Sequence, residues 1–183
     1  MKTKKCTIRL FCICLVLILI SCIGASALQT DFGKVRVEKF NIPTDSGQWV
    51  TGLLFAPANA SVDNKVPLVI TSHGYLNNAQ MQDSSCIEMS RRGIAVIAID
   101  AYNHGDSSGT KYNDQDSGTY EGRGLIPLVE YAYNCLEWVD NTKIGITGHS
   151  MGGTSTWNVA RYYGRQYPWI EKIWPWSRGG NTG

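Results

Sequence analysis

The sequence predicts an α/β domain built on a mostly parallel β-sheet, with an antiparallel hairpin at its N-terminal side. Short, continuous runs of branched apolar residues lie at 66–72, 93–100 and 143–147, as strands buried on both faces require. Stretches with the apolar spacing of helices separate these runs. This alternation of strand and helix is typical of a parallel α/β sheet.

The hairpin is predicted from two β-rich runs, "KVRVEKFNI" and "WVTGLLFAP". The "DSG" at 45–47 between them has the chemistry of a tight turn. One helix is predicted over 79–92, where Gly93 follows "SRR" as a C-cap glycine does, and another over 125–139. A further helix, "TSTWNVARYY", is predicted after the third buried run.

Residues 1–28 are predicted to be a targeting segment, and residues 29–183 the domain. Basic "MKTKK" precedes an apolar run that is short for a hydrocarbon core of roughly 30 Å and fits a signal peptide. "ASA" before Leu28 resembles a signal peptidase site, whereas "LISC" resembles a lipobox in which Cys22 is lipidated. An uncleaved membrane anchor is the third alternative. All three place the domain outside the cytoplasm, either secreted or attached to a membrane.

Charge and cysteine content exclude some classes of protein. The chain has 17 Lys and Arg against 15 Asp and Glu, and no run of basic residues lies along one face of a predicted helix or strand. Nucleic acid is therefore not an expected partner. Of six cysteines only Cys86 and Cys135 fall within the domain, and no Cys or His spacing predicts a metal site. We expect neither a metal nor a cofactor.

The segment "GHSMGG" carries the chemistry of the chain. Gly148, Ser150 and Gly152 match G-x-S-x-G, with a buried run before the motif and a helix after it. In that setting the strand reverses sharply into the helix at the serine, so a side chain at either glycine would collide with the neighbouring backbone. The helix N-terminus also favours the negative charge that an attacked carbonyl develops. Ser150 is therefore the predicted nucleophile.

Three motifs in order resemble the N-terminal part of an α/β-hydrolase. "SHGYLNN" resembles the family's His-Gly oxyanion loop, and "DAYNHGDSSG" resembles its D-x-x-G-H-G-x-S loop. "NTKIGITGHSMGG" resembles the family's fifth strand and nucleophile elbow. The resemblance covers about residues 35–163 and implies a three-layer α/β-hydrolase sandwich, truncated after the elbow helix.

The resemblance also implies roles for named residues. The backbone N–H groups of Tyr75 and Met151 would form the oxyanion hole beside Ser150. The residues implied to support the site are His73, Gly74, His104, Gly148, His149 and Gly152.

The strand order implied by the resemblance places residues 68–71 between the neighbouring parallel strands 95–99 and 144–146. The helices that carry Cys86 and Cys135 then lie on opposite faces of the sheet, too far apart for a disulfide. We expect both cysteines to be core thiols.

A base and an acid are missing from the expected positions. The family's order is serine, acid, histidine, but after Ser150 the only acidic residue is Glu171 and there is no histidine. Pro168 and Pro175 argue against a sixth strand. A natural, irregular terminus is one explanation. The favoured one is a truncation that removed about 100 or more residues, because half of a catalytic site has no use alone.

These observations predict an extracytoplasmic serine hydrolase acting on carboxylic esters, in a truncated and inactive form. A serine peptidase of the prolyl oligopeptidase type is an alternative, because nothing before Ser150 excludes a peptide substrate. A non-catalytic surface protein that binds a ligand in the same cleft is the other. The expected partners are a small ester or peptide and a membrane at the N-terminal segment. The oligomeric state stays open.

Overall fold

The computed structural model describes residues 2–44, 47–109, 121–163 and 172–178 and contains a six-stranded sheet. Its strands are β1 (Val35–Pro43), β2 (Trp49–Pro57), β3 (Val66–Ser72), β4 (Ala95–Asp100), β5 (Val139–Ser150) and β6 (Lys172–Arg178). Its helices are α1 (Lys2–Gln29), α2 (Asp83–Arg91), α3 (Leu125–Cys135) and α4 (Met151–Tyr163). Short 3-10 helices occupy Ala79–Gln82 and Glu121–Gly124.

The sheet has the strand order β1-β2-β4-β3-β5-β6. β1 and β2 form an antiparallel hairpin that joins β4, and the strands β4, β3, β5 and β6 are parallel. Leu68 of β3 pairs with Ala95 on one side and with Ile144 on the other. The predicted hairpin, the mostly parallel sheet and the position of the Ser150 strand beside β3 are therefore confirmed.

Helices cover both faces of the sheet. On one face, Cys86 of α2 packs in a cluster with Phe55 and Val96. On the other face, Leu128 of α3 and Val159 of α4 pack in the larger cluster that contains Ile70. Along β4, Ala95 and Ile97 enter the larger cluster and Val96 and Ala98 the smaller one, because side chains on a strand alternate between its faces. The predicted three-layer architecture is confirmed.

The chain forms a sixth strand where the sequence argued against one. The backbone of β6 pairs with β5 in parallel, with Pro175 opposite Gly148. Proline lacks a backbone N–H, but a strand that is paired on one side only can turn that position away from the ladder. Among the described strands β6 pairs with β5 alone, so Pro175 is compatible with it. Pro168 and Glu171 lie outside the described residues, as do most of the predicted turn at 45–47 and the polar segment at 110–120.

Two expectations about the third helix are wrong. The helix ends at Cys135, not at residue 139, and Val139 already begins β5. Cys135 at its end is exposed, whereas Cys86 is a buried core thiol, as expected. Burial raises the pKa of Cys86 to about 12, so this thiol stays protonated and packs as an apolar group. Both cysteines are free thiols.

α1 is an apolar helix outside the sandwich. Its segment Lys5–Gln29 has a mean hydropathy of 2.7 and is long enough to cross a membrane, with no part of its apolar window buried. A signal sequence and a membrane anchor both have these properties. Cys22, the predicted lipidation residue, is an exposed free thiol on this helix.

A substitution at Gly52 of β2 tests how closely the hairpin packs against β4. A methyl group at this position would lie 2.2 Å from the carbonyl oxygen of Ala98 and 2.8 Å from the ring of Phe40. Gly52→Ala should therefore lower the free energy of unfolding by ~1–3 kcal/mol, as overpacking of a core does. Thermal unfolding followed by circular dichroism measures the effect. Gly24→Ala is the matched control because nothing lies within 4 Å of its added methyl group; equal melting temperatures for the two variants would contradict this packing.

Candidate active site

Ser150 occupies a sharp turn between β5 and α4. It has φ +52°, a left-handed conformation that is uncommon outside glycine, and α4 begins at the next residue. A Cβ on Gly148 would lie 2.3 Å from the carbonyl carbon of Gly152, and a Cβ on Gly152 would lie 2.2 Å from the carbonyl oxygen of Ser72. Both glycines are therefore required by the close approach of backbone, which is the collision that the motif predicts.

The loop after β3 lies directly against the serine. The Gly152 N–H donates to the carbonyl of His73 at 3.0 Å, which joins the first turn of α4 to this loop. A Cβ on Gly74 would lie 3.6 Å from Cβ of Ser150. The predicted oxyanion donors thus belong to two segments that meet at Ser150: Tyr75 follows Gly74, and Met151 opens α4. The first N–H groups of a helix have no partner within it, and they favour a negative charge in front of them.

His73 joins three segments of this edge through its backbone and ring. Its Nε2 accepts a hydrogen bond from the Ala101 N–H at 3.1 Å, so this nitrogen carries no proton. Its Nδ1 therefore holds the proton and donates to the Gly74 carbonyl at 2.7 Å. Burial lowers the pKa of His73, Arg123 acts in the same direction, and the bond to Gly74 opposes them. A neutral ring with both nitrogens engaged is a structural brace and not the base for Ser150.

His104 lies between His73 and Tyr75. Its ring centroid is 5.2 Å from that of His73 and 5.7 Å from that of Tyr75, in an edge-on arrangement with the latter. Its Nδ1 donates to the Tyr102 carbonyl at 3.0 Å, since a carbonyl oxygen can only accept. The His104 side chain is buried, whereas that of Tyr75 is largely exposed. These three residues, which the sequence assigned to one site, are therefore brought together.

His149 precedes the serine on the elbow and is exposed. Its Nδ1 lies 3.1 Å from the point that a Cβ on Gly74 would occupy. His149 thus flanks the loop after β3 on the side of Ser150. All three histidines of the chain lie at this edge of the sheet.

Asp100 organises the edge, and the sequence analysis gave it no role. Its buried carboxylate accepts the Ala79 N–H at 2.8 Å, the Thr51 hydroxyl at 3.0 Å and the Asp106 N–H at 3.2 Å. These bonds connect the loop after β3, the hairpin and the loop after β4. A Cβ on Gly105 would lie 2.2 Å from Cγ of Asp100, so the second loop wraps closely around the carboxylate. An acid at the end of a wholly buried strand was the signal that could have revealed it.

Two further residues of this edge could not be assigned from motifs: Asn103 differs from the family pattern, and Arg123 lies outside it. Asn103 stands where the D-x-x-G-H-G-x-S pattern has its first glycine, and it has φ +66°. Asparagine adopts that conformation more readily than most residues, so the loop keeps its shape. Arg123 is buried and its carbonyl accepts the Tyr102 N–H at 3.1 Å. No sequence pattern marked Arg123, because it follows the polar segment at 110–120.

The described residues contain no group of three or more His, Cys, Asp and Glu side chains that could hold a metal ion. At Ser150 the structure places a left-handed turn at the start of α4, with the loop after β3 packed against the serine.

The sequence profile of one hydrolase family, described as "Serine aminopeptidase, S33", matches residues 63–170, more than half of the chain. The chain belongs to this family of α/β-hydrolases. The match includes the loop after β3, Asp100 and the elbow at Ser150. No curated protein matches the sequence.

Solved structures with the same fold include several esterases. DcsB in complex with a substrate analogue is 26% identical, with a TM-score of 0.55 over 69% of this chain and 41% of its own. An esterase of Pyrococcus furiosus is 21% identical, with a TM-score of 0.58 over 74% and 49%. A bacterial heroin esterase is 20% identical, with a TM-score of 0.57 over 87% and 49%. The chain thus spans less than half the length of these structures.

The neutral state of His73 makes the fold sensitive to pH. The folded-state pKa of His73 lies below the ordinary value of 6.5, so the unfolded chain takes up the proton first as pH falls. The stability that neutral His73 contributes is complete above pH 6.5 and is lost as pH falls from 6.5 toward the folded-state pKa. Melting temperatures measured from pH 8 to pH 5 should therefore decline below about pH 6.5.

His73→Gln should weaken this decline, because a glutamine can donate and accept hydrogen bonds but does not titrate in this range. His149→Gln is the matched control, because it makes the same change at an exposed histidine of the same sheet edge. A decline that is as steep in His73→Gln as in the natural chain would show that another group is responsible.

Proposed function

We propose that this chain carries the nucleophile and oxyanion half of an extracytoplasmic serine hydrolase that acts on carboxylic esters. Ser150 is the nucleophile, and the N–H groups of Tyr75 and Met151 hold the oxyanion. The single observation that carries the proposal is the packing of Gly74 against Ser150, 3.6 Å between the Cβ position of one and Cβ of the other. This contact brings the donor loop to the place where an attacked carbonyl oxygen would lie.

The proposed chemistry follows from the elbow. The Ser150 hydroxyl attacks the acyl carbon, and the carbonyl oxygen gains negative charge. Backbone N–H groups held in place before the reaction stabilise that charge without reorganising, which is commonly the largest single contribution to acyl transfer. The serine proton must pass to a base, which then protonates the leaving alcohol.

In the family's order the histidine that acts as the base follows the serine, and this chain has none at that place. There is no histidine after Ser150, and the ring nitrogens of His73 are both engaged. We therefore propose that the chain is inactive on its own. Catalysis would need an acid and a histidine in the positions that the family's order gives them.

Peptide substrates are the second candidate. The matched family is described as a serine aminopeptidase, and the same nucleophile and oxyanion donors serve amide and ester bonds alike. Esters are favoured because solved structures of this fold include the Pyrococcus furiosus and heroin esterases. A non-catalytic protein that binds a ligand in the same cleft is the third candidate, because both ring nitrogens of His73 are already engaged in hydrogen bonds.

Location belongs to the proposal as well. The apolar helix α1 supports export of the domain, by a cleaved signal, a lipidated Cys22 or an uncleaved anchor. We propose that the domain works outside the cytoplasm, where its partner is a small ester.

The purified chain should hydrolyse p-nitrophenyl acetate at or near the uncatalysed rate, and Ser150→Ala should change that rate little. Loss of a triad residue already reduces enzymes of this type to about 10³–10⁴-fold over water, and here Ser150 is followed by no histidine and by one acidic residue, so we expect less than that. Turnover near neutral pH that Ser150→Ala abolishes would contradict the missing base. In that case His104→Gln should remove activity and His149→Gln should not, because His104 follows a strand that ends at the Ser150 edge.

The oxyanion donors can be tested without the natural base. Imidazole added in solution should act as the base and promote labelling of Ser150 by a fluorophosphonate, read by mass spectrometry of the labelled peptide. Tyr75→Pro removes the donor N–H and should slow labelling by about 10²–10³-fold, as the loss of an oxyanion donor does. Tyr75→Ala keeps that N–H and is the matched control. Absence of labelling at Ser150 in the natural chain would instead favour the non-catalytic binding protein.

A further inference from the structure

A tight turn connects α1 to β1 without a linker. The Phe32 N–H donates to the Ala27 carbonyl at 2.7 Å, and the Val35 N–H donates to the Thr30 carbonyl at 2.8 Å. Asp31 and Phe32 have φ +46° and +55°, left-handed conformations that are strained for residues other than glycine. Such strain persists only where surrounding contacts enforce it. The turn is therefore an ordered part of the domain.

The contacts that enforce the turn come from α2. The Gln29 side-chain amide donates to the Asp83 carboxylate at 3.4 Å, and Arg91 pairs with Asp31 at 3.2 Å. These bonds hold the last turn of α1 against both ends of α2. Ile87, in the middle of α2, lines a groove of about 540 Å³ together with Leu28 of α1.

Phe32 is the exposed aromatic residue of this turn. Its side chain is 76% exposed, and Leu28, one helical turn earlier, is 63% exposed. The 25-residue helical segment Lys5–Gln29 is ~37 Å long at about 1.5 Å per residue, against roughly 30 Å of hydrocarbon. In a spanning helix of this length the last turn would lie at the headgroup boundary, where membrane-surface segments bury Phe and Leu side chains.

We propose that α1 is retained in the mature protein and that Phe32 is inserted at the lipid–water interface, so that the domain is fixed directly on the bilayer. This inference rests on the proposed export of the domain and chooses the uncleaved anchor among its three alternatives. Cleavage before Leu28 would separate the strained turn from the helix whose carbonyls it caps. A lipid bilayer is the occupant that covers both α1 and Phe32.

The charges beside the turn indicate which lipids are needed. Lys34 and Arg91 both pair with Asp31, and Arg91 and Arg92 both pair with Glu88. These three cations face two carboxylates, so all but one of their charges is matched, well short of the clusters of about 4–8 Lys and Arg that recognise anionic headgroups. The interface should therefore form equally well on phosphatidylcholine and on phosphatidylglycerol.

The experiment uses the full chain in phosphatidylcholine vesicles and compares Phe32→Cys with Leu76→Cys. The two positions are matched, with exposures of 76% and 80% and φ of +55° and +59°. The reagent is a water-soluble maleimide, and peptide mapping identifies the labelled cysteine, so the native cysteines can stay in place. The maleimide should label Phe32→Cys at least about tenfold more slowly than Leu76→Cys. In denaturant the two rates should become equal.

Two results would overturn the inference. One is a mature chain, purified from membranes, whose N-terminus is Leu28 or a lipidated Cys22. The other is equal labelling of the two cysteines in vesicles. Slow labelling of Phe32→Cys only with phosphatidylglycerol would contradict the matched charges. None of these measurements involves Ser150. The membrane inference can therefore be wrong while the proposed hydrolase function is right, and the hydrolase function can be wrong while the membrane inference is right.

Discussion

The neutral imidazole of His73 is the interaction on which the Ser150 edge depends. It receives the Ala101 N–H, donates to the Gly74 carbonyl and, through its own backbone carbonyl, receives the Gly152 N–H. Three segments that are distant in sequence are thereby fixed relative to one another. The buried Asp100 carboxylate repeats this arrangement one strand away. Polar groups removed from water must be satisfied by partners in fixed positions, and here that requirement sets the shape of the site.

Backbone proximity explains why the motif could be recognised from sequence. Gly148 and Gly152 leave no room for a Cβ, and Ser150 has a left-handed conformation between them. These are local constraints, and short-range spacing in the sequence records them. The continuous apolar runs of β3 and β4 were equally informative, because a strand covered on both faces has no polar positions. These runs predicted the mostly parallel α/β sheet, and the resemblance of three motifs to α/β-hydrolases implied its strand order and its three layers.

Other features could not be predicted, because they depend on contacts distant in sequence. The end of α3 at Cys135 reflects the start of β5, since Val139 pairs with Val66; the apolar spacing alone would extend the helix. β6 was missed because Pro175 was judged as a residue of a central strand. Asp100 was overlooked because its three donors come from separate loops. The state of His73 likewise follows from the Ala101 N–H, which only the folded chain brings to its ring.

The pairing of β5 on both sides has a consequence for how the cleft can adapt to a ligand. β5 is hydrogen-bonded to β3 and to β6, and backbone paired in this way opens rarely, together with much of the fold. The loop after β3 is attached differently: Tyr75 and Leu76 are exposed, and Leu76 has φ +59°. Ser150 thus has the fixed position, and we expect the exposed residues Tyr75 and Leu76 to adjust more readily than the serine when a ligand enters. Variation in selectivity among chains of this architecture should accordingly concentrate in that loop rather than on the strand that carries the serine.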